Sequence, residues 1–218
     1  MEMNDMEKPD FLKNAMRNLS IPVITMEKYG FDCPGVDILF DYEKGGYMAT
    51  RHLIECGHRR IGCVAGKQSF HVTMQRLNGY KKALEESGIS YDPDLVYFGD
   101  YTMESGYEAF SYILGQKVTA IFSMNDEMAF GIYRAARLYG VSIPEDISII
   151  GFDNVPFADV MQVPLTTIGV PVIEMGKKLG EKVVELIDNK EKLKEREEIL
   201  YTPRLLVRGS TKSIPPVT

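Results

Sequence analysis

Four short apolar runs, joined by stretches of helical spacing, limit what this chain can fold into. Ile61–Ala65 closes at Gly66 and leads to Met74–Ser87, where Leu77, Tyr80 and Leu84 share one face and Gly88 is the stop. Leu95–Phe98 closes at Gly99 and leads to Glu104–Leu114, with Tyr107, Phe110 and Leu114 in helical register. Val118–Phe122 leads to Asp126–Tyr139, ended by Gly140, and Ile147–Ile150 is the fourth run. A helix over Glu43–Cys56, stopped by Gly57, precedes them. Runs that are apolar on both faces and alternate with helices predict a parallel sheet covered on both sides. The chain from about Asp41 to Thr167 is thus expected to form a doubly wound α/β lobe.

The flanks are less regular. Phe11–Leu19 reads as a short helix and Val23–Met26 as a strand. Ile173–Asn189 reads as an amphipathic helix, with Met175, Leu179, Val183 and Leu186 in register. Lys190–Glu198 mixes both charges and reads as a solvated loop or helix end. Leu205–Val207 is the last strand expected.

Ligands of open parallel sheets bind outside the carboxyl ends of the strands, where loops diverge and helix N-termini direct their amides into the crevice. The first strand is followed by the Gly66–Met74 loop, which carries Phe70 and His71, and then by Arg76. The next three are followed by Asp100-Tyr101, Asn125-Asp126 and Asp153-Asn154. Arg76, Tyr101, Asn125 and Asp153 therefore converge on one edge. That set suits a polyol: a guanidinium and a carboxylate each hold two neighbouring hydroxyls, an amide donates and accepts, and a ring covers the C–H face of a sugar. Taken singly, each has a plainer reading. Asp126 is expected to be the N-cap of its helix and Asn125 a turn residue beside it. Asp153-Asn154 could cap the Pro156 loop, Tyr101 could simply pack, and Arg76 could be a solvated helix residue.

Other chemistries find little support. No GxGxxG follows a strand, and neither a GxxxxGK[ST] nor a GxSxG is present. His52, Cys56 and His58 are close in sequence but lack zinc-site spacing and a fourth ligand. His71 has no neighbouring serine or cysteine with which to form a catalytic pair. No catalytic residue, metal ligand or cofactor is assigned. The formal net charge of −6 offers no basic surface for nucleic acid. Three cysteines with no CxxC fit reduced thiols and a cytoplasmic protein, and the acidic, polar start MEMNDMEKPDF is unlike a secretory signal. No apolar run approaches the roughly 20 residues a membrane span needs.

The stretches ATRHLIECGHRRIGCVAG, RLNGYKKALEESGI, GDYTMESGYEA, TAIFSMNDEMAFGIYRAARLYGVSIPEDISIIGFDN, PLTTI and PRLLVRGST resemble the effector-binding domain of LacI/GalR-type transcriptional regulators. The resemblance runs from about Ile21 to Thr211 and implies a periplasmic-binding-protein-like fold of two lobes. In that reading residues 1–40 and 170–200 belong to an N-terminal lobe, and 41–168 with 201–212 to a C-terminal lobe. Pro164–Ile168 is expected to carry the chain back to the first lobe. The resemblance further implies that Arg76, Asn125 and Asp153 are polar contacts to an effector, a small sugar or purine-like metabolite, and that Tyr101 stacks on it. Phe40, Glu27, Phe70 and His71 complete the expected ligand set. Glu27 stands where the family often has Asp, and Val170 where some members have a polar contact. Phe130 and Met161 match positions that line a homodimer interface, with core packing as their plainer reading. Two departures are expected to matter: no DNA-reading helix-turn-helix precedes the domain, and the first lobe lacks its opening strand–helix units, as in a piece of a longer chain or a truncated reading frame. Operator DNA would then be bound only through a head absent from this chain. A stand-alone sugar-binding protein of a transport system is the alternative weighed.

Overall fold

Strands buried from end to end need cover on both faces, and the computed structural model provides it. The structure describes residues 23–26, 35–188 and 196–215. The chain divides into two compact units, Met1–Asp41 with Pro171–Thr202, and Tyr42–Val170 with Pro203–Thr218.

In the second unit, β3 (Ile61–Ala65), β4 (Val96–Phe98), β5 (Ala120–Ser123), β6 (Ser148–Asp153), β7 (Thr166–Gly169) and β9 (Arg204–Leu206) form one sheet in the order β4-β3-β5-β6-β7-β9. All neighbours are parallel except β7 and β9. The helices are α1 (Tyr42–Glu55), α2 (His71–Glu86), α3 (Met103–Gly115) and α4 (Asp126–Tyr139). They pack as two pairs, α1 with α2 and α3 with α4. Consecutive residues of β6 show that the pairs lie on opposite faces. A Cβ on Gly151 would meet Asp126 of α4, whereas the Phe152 ring lies under Gly45 of α1. Every residue of β3, β5 and β7 is buried, the pattern of a parallel sheet covered on both sides.

Three details differ from the sequence reading. Strand β6 does not stop at Ile150 but runs on to Asp153. Helix α2 begins at His71, so this residue is its first rather than part of a loop. Pro164–Ile168 contributes to β7, whose register with β6 and β9 keeps it in the second unit, and the change of unit falls between Val170 and Pro171.

The histidines near the lower edge of this sheet are structural. His58 is buried, with Nδ1 2.9 Å from Thr119 Oγ1 and Nε2 3.0 Å from Ser148 Oγ and 3.2 Å from the Lys212 carbonyl. A carbonyl can only accept, so Nε2 carries a proton, and burial lowers the proton affinity of the ring. His52 Nε2 lies 2.9 Å from Thr211 Oγ1. His52 thus ties the C-terminal segment to α1, and His58 ties it to the sheet through Ser148. Among the described residues no group of three His, Cys, Asp or Glu is arranged to hold a metal.

In the first unit, β1 (Val23–Thr25), β2 (Gly35–Phe40) and β8 (Arg196–Tyr201) form a parallel sheet in the order β1-β2-β8, with α5 (Val172–Asp188) against β2. Strand β8 occupies the mixed-charge run that reads as a loop or helix end. Its register with β2, from Gly35↔Arg196 to Phe40↔Tyr201, supplies the backbone partners that composition does not reveal. Lys182 of α5, itself buried, meets Glu197 of β8 at 2.5 Å and Glu185 at 3.0 Å. The expected helix over Phe11–Leu19 lies outside the described residues.

Candidate functional site

Arg76 lies in the second turn of α2, and its guanidinium is almost wholly buried. The group sits 3.8 Å from the centroid of the Phe152 ring, with Tyr42 at 5.1 Å and Tyr101 at 5.8 Å. Planar, weakly hydrated guanidinium tolerates such a box of rings where an ammonium would not. One terminal nitrogen donates to the Met124 carbonyl at the end of β5, and the other reaches Asp153 Oδ1 at 3.3 Å. Nε is buried and makes no hydrogen bond. Arg76 is therefore not the solvated helix residue of its plainer reading.

Asp153 is the last residue of β6, with φ 111°, and Asn154 follows at φ 58°. Two successive non-glycine residues at positive φ are strained unless their surroundings fix them, and short polar side chains tolerate this best. The Asp153 backbone carbonyl accepts from Val170 N at 3.4 Å, and Asn154 Oδ1 accepts from Arg208 at 2.6 Å. The Asp153 carboxyl is half-buried, and burial raises its proton affinity while Arg76 opposes the rise.

Asn125, not Asp126, is the N-cap of α4: its Oδ1 accepts from Met128 N at 2.9 Å. Its Nδ2 donates to the Tyr101 carbonyl at 2.9 Å, which leaves one N–H and one lone pair for anything else. Tyr101 also has positive φ, 73°, and its ring lies on Gly66, where a Cβ would come within 2.0 Å. Its hydroxyl lies 2.7 Å from Thr73 Oγ1. Phe70 stacks on Tyr101 with centroids 6.2 Å apart and 21° between planes. One edge of the sheet thus brings together Arg76, Asp153, Asn125, Tyr101 and Phe70, a buried cation, a half-exposed carboxyl, an amide and a two-ring wall.

His71 is exposed on the first turn of α2. Phe40 ends β2 in the first unit and is buried. Glu27 lies outside the described residues. Phe130 and Met161 both line a cavity of about 580 Å³, together with Tyr133, Arg137 and Val163. Sequence reasoning passes over Phe152, Tyr42 and Asp126. Phe152 lies beyond the Ile147–Ile150 run, and Tyr42 lies just before the helix expected over Glu43–Cys56. Asp126 is fully buried, with Oδ1 accepting from Thr167 Oγ1 at 2.6 Å and Oδ2 from Val155 N at 2.9 Å. Burial raises its pKa to about 6 against those donors. Its place beside a cap residue gives no hint of this.

Residues 50–211 match the model of the periplasmic binding protein-like domain. Curated relatives include the HTH-type transcriptional repressor PurR of Photobacterium profundum, 36% identical over 94% of this chain and 61% of its own. The HTH-type transcriptional regulator DegA of Bacillus subtilis is 36% identical over 81% of this chain and 52% of its own. Among solved structures, a LacI family transcriptional regulator from Enterococcus faecium with bound ribose superposes with a TM-score of 0.83 at 30% identity, covering 95% of this chain and 77% of its own. A complex of the transcriptional regulator CelR with cellobiose gives 0.75 at 28% identity, covering 92% and 69%. The chain spans about three fifths of the length of the PurR relatives it matches. These relatives are regulators rather than enzymes and do not favour the transport alternative. No helix among the described residues is long and apolar enough to cross a membrane. From the matched domain, the parallel α/β architecture and the ribose-bound relative together, the chain belongs to the LacI family, in its periplasmic-binding-protein-like effector-binding domain.

Proposed function

We propose that this chain senses a small sugar or related metabolite for a LacI-type transcriptional regulator, with Arg76 and Asp153 as the grip, Asn125 as a further polar contact, and Phe70 and Tyr101 as the ring wall. The supporting observation is the buried Arg76 guanidinium paired to a half-exposed carboxyl at a strand end. A dry cation whose paired carboxyl still reaches solvent is an arrangement that a hydroxyl-bearing ligand can complete at the Asp153 side. His71, beside Phe70 at the start of α2, is assigned to the same ligand. The two compact units, Met1–Asp41 with Pro171–Thr202 and Tyr42–Val170 with Pro203–Thr218, are taken as the two lobes that the sequence reading put at 1–40 with 170–200 and 41–168 with 201–212. The role is binding rather than turnover, in the cytoplasm. Operator binding belongs to the part of the relatives that this chain does not span, and an effector controls it only through different affinity for two states. Bound ribose and cellobiose in two related structures make pentoses and glucosides the first ligands to try.

A thermal-shift screen of ribose, cellobiose and purine bases tests the reading, since a ligand that binds only the folded state raises the melting temperature by mass action. At least one compound is expected to raise it, and Asp153→Ala to abolish that shift while unfolding cooperatively. A full shift in the variant removes Asp153 from the site.

We also infer a homodimer through the face where Phe130 and Met161 line the 580 Å³ cavity. Arg134 and Arg137 line the same face, so a further cation set between them is left unpaired when the face is covered and costs several kcal/mol, on the order of 2–5. Phe130→Lys is therefore expected to sediment as a monomer at concentrations where the unaltered chain is a dimer. A monomeric unaltered chain at tens of micromolar would dispose of the inference.

A further inference from the structure

The half-exposed carboxyl of Asp153 stands on two successive residues at positive φ, a backbone that does not hold itself. What lies behind that turn is the buried carboxylate of Asp126. It accepts from Val155 N at 2.9 Å, two residues after Asp153. Its other oxygen accepts from Thr167 Oγ1 of β7 at 2.6 Å. It also lies against Gly151, where a Cβ would fall 2.2 Å from Oδ1, so the strand just before the turn is shaped to admit it. One carboxylate thus joins the N-terminus of α4, the end of β6, the turn after it and β7.

We propose that Asp126 is the positioning residue of the effector grip: it touches no ligand but fixes the Asp153–Val155 turn so that the Asp153 carboxyl faces Arg76. This rests on the reading of Arg76 and Asp153 as that grip. A plain cap does not need it, because Asn125 already caps α4. Nor does the core gain from it, since a fully buried carboxylate is costly unless donors surround it. The ionisable groups facing it are Asp153, which disfavours its charge, and Tyr133 on its own helix. The backbone and hydroxyl donors are what hold it ionised.

The test separates turn geometry from ligand binding. Amide hydrogen exchange, corrected for intrinsic rates, is compared in the unaltered chain, Asp126→Asn, Thr167→Val and Thr167→Ser. Asparagine sets an N–H or loses charge against the Val155 donor, so protection of peptides spanning Phe152–Val155 is expected to fall about tenfold or more. Thr167→Val removes one donor with little change of shape and should show a smaller loss, and Thr167→Ser should restore protection. Strands β3 and β5 should exchange as before in all three. No loss at the turn in Asp126→Asn, or equal loss throughout the sheet, overturns the proposal. In parallel, ribose and cellobiose are titrated. Weakening of about tenfold in Asp126→Asn and a smaller one in Thr167→Val, with Thr167→Ser unaffected, supports positioning, whereas unchanged affinity despite a loosened turn overturns it. If the unaltered chain binds neither sugar nor a purine base, the effector reading fails on that result alone, and the exchange arm still decides whether Asp126 holds the turn.

Discussion

Arg76→Met should remove effector binding, by about a hundredfold or more, and destabilise the second unit by about 1–3 kcal/mol. Methionine keeps the apolar stem and a favourable sulfur contact with the Phe152 ring, so packing loss is small. What goes is electrostatic. The Met124 carbonyl loses its donor, and the Asp153 carboxyl, held 3.3 Å from the guanidinium, loses its cation. Because that carboxyl is half-exposed, water covers part of the loss, which keeps the cost below that of a fully buried broken pair. The sign with pH follows. Burial already raises the Asp153 pKa and Arg76 opposes the rise, so removing Arg76 raises it further. A folded carboxyl with a pKa above its unfolded value of about 3.9 takes up protons on folding, and stability then falls as pH rises through that window. The deficit of Arg76→Met against the unaltered chain should therefore be largest near pH 7 and shrink toward pH 5. Arg76→Lys keeps the charge but not the plane that lies on Phe152. It should recover part of the stability and little of the affinity. Thermal unfolding at several pH values and titration with whichever ligand the screen yields measure both effects. A deficit that does not depend on pH would show that the pair contributes packing alone.

The order of strand and helix was legible because burial on both faces writes a continuous apolar run, and β3, β5 and the core of β6 are such runs. Strands β2 and β8 were not. Asp37 interrupts one, and REEILY looks solvated because its neighbours in space, Lys182 among them, are far away in sequence. The strand-end rule brought Arg76, Tyr101, Asn125 and Asp153 to one edge, since it needs only where each strand stops. It could not say how those side chains are spent. Asn125 and Asp126 are adjacent and both cap helices well, so their division of labour depends on which way β7 and the Asp153 turn approach them. Positive φ at Tyr101, Asp153 and Asn154 was equally hidden, because no glycine marks it. Phe152 lies past the end of the apolar run, and only the longer β6 and its pleat show that its ring emerges beneath Arg76.

Gly79→Ala should cost about 2–3 kcal/mol, although alanine is the better helix former by about 1 kcal/mol. Helices α1 and α2 cross on a reciprocal pair of glycines. A Cβ on Gly79 would fall 2.0 Å from the Glu43 carbonyl oxygen and 2.5 Å from Tyr47 N, and one on Gly46 would fall 2.2 Å from the Arg76 carbonyl oxygen. These are backbone atoms of regular helices, which cannot rotate aside, so the helices themselves must separate. Separation opens a layer otherwise closed by Ala49, Leu53, Leu77 and Tyr80, all buried. The α3–α4 pair uses the same device, with Gly106 against the Met128 carbonyl and Gly131 against that of Met103. Gly115→Ala, at the exposed end of α3 with nothing within 4 Å, is the control, and should be neutral or stabilising by up to about 1 kcal/mol. Denaturant unfolding of the three chains decides the matter, and equal stability of Gly79→Ala and Gly115→Ala would show that the crossing yields without cost. The damage from Gly79→Ala should also reach the candidate site. Gly46 packs on the carbonyl of Arg76 itself, so a shift of α2 against α1 lifts that guanidinium from the Phe152 ring and away from Asp153. Effector affinity should then fall with stability in Gly79→Ala, even though no atom of Gly79 borders the ligand edge.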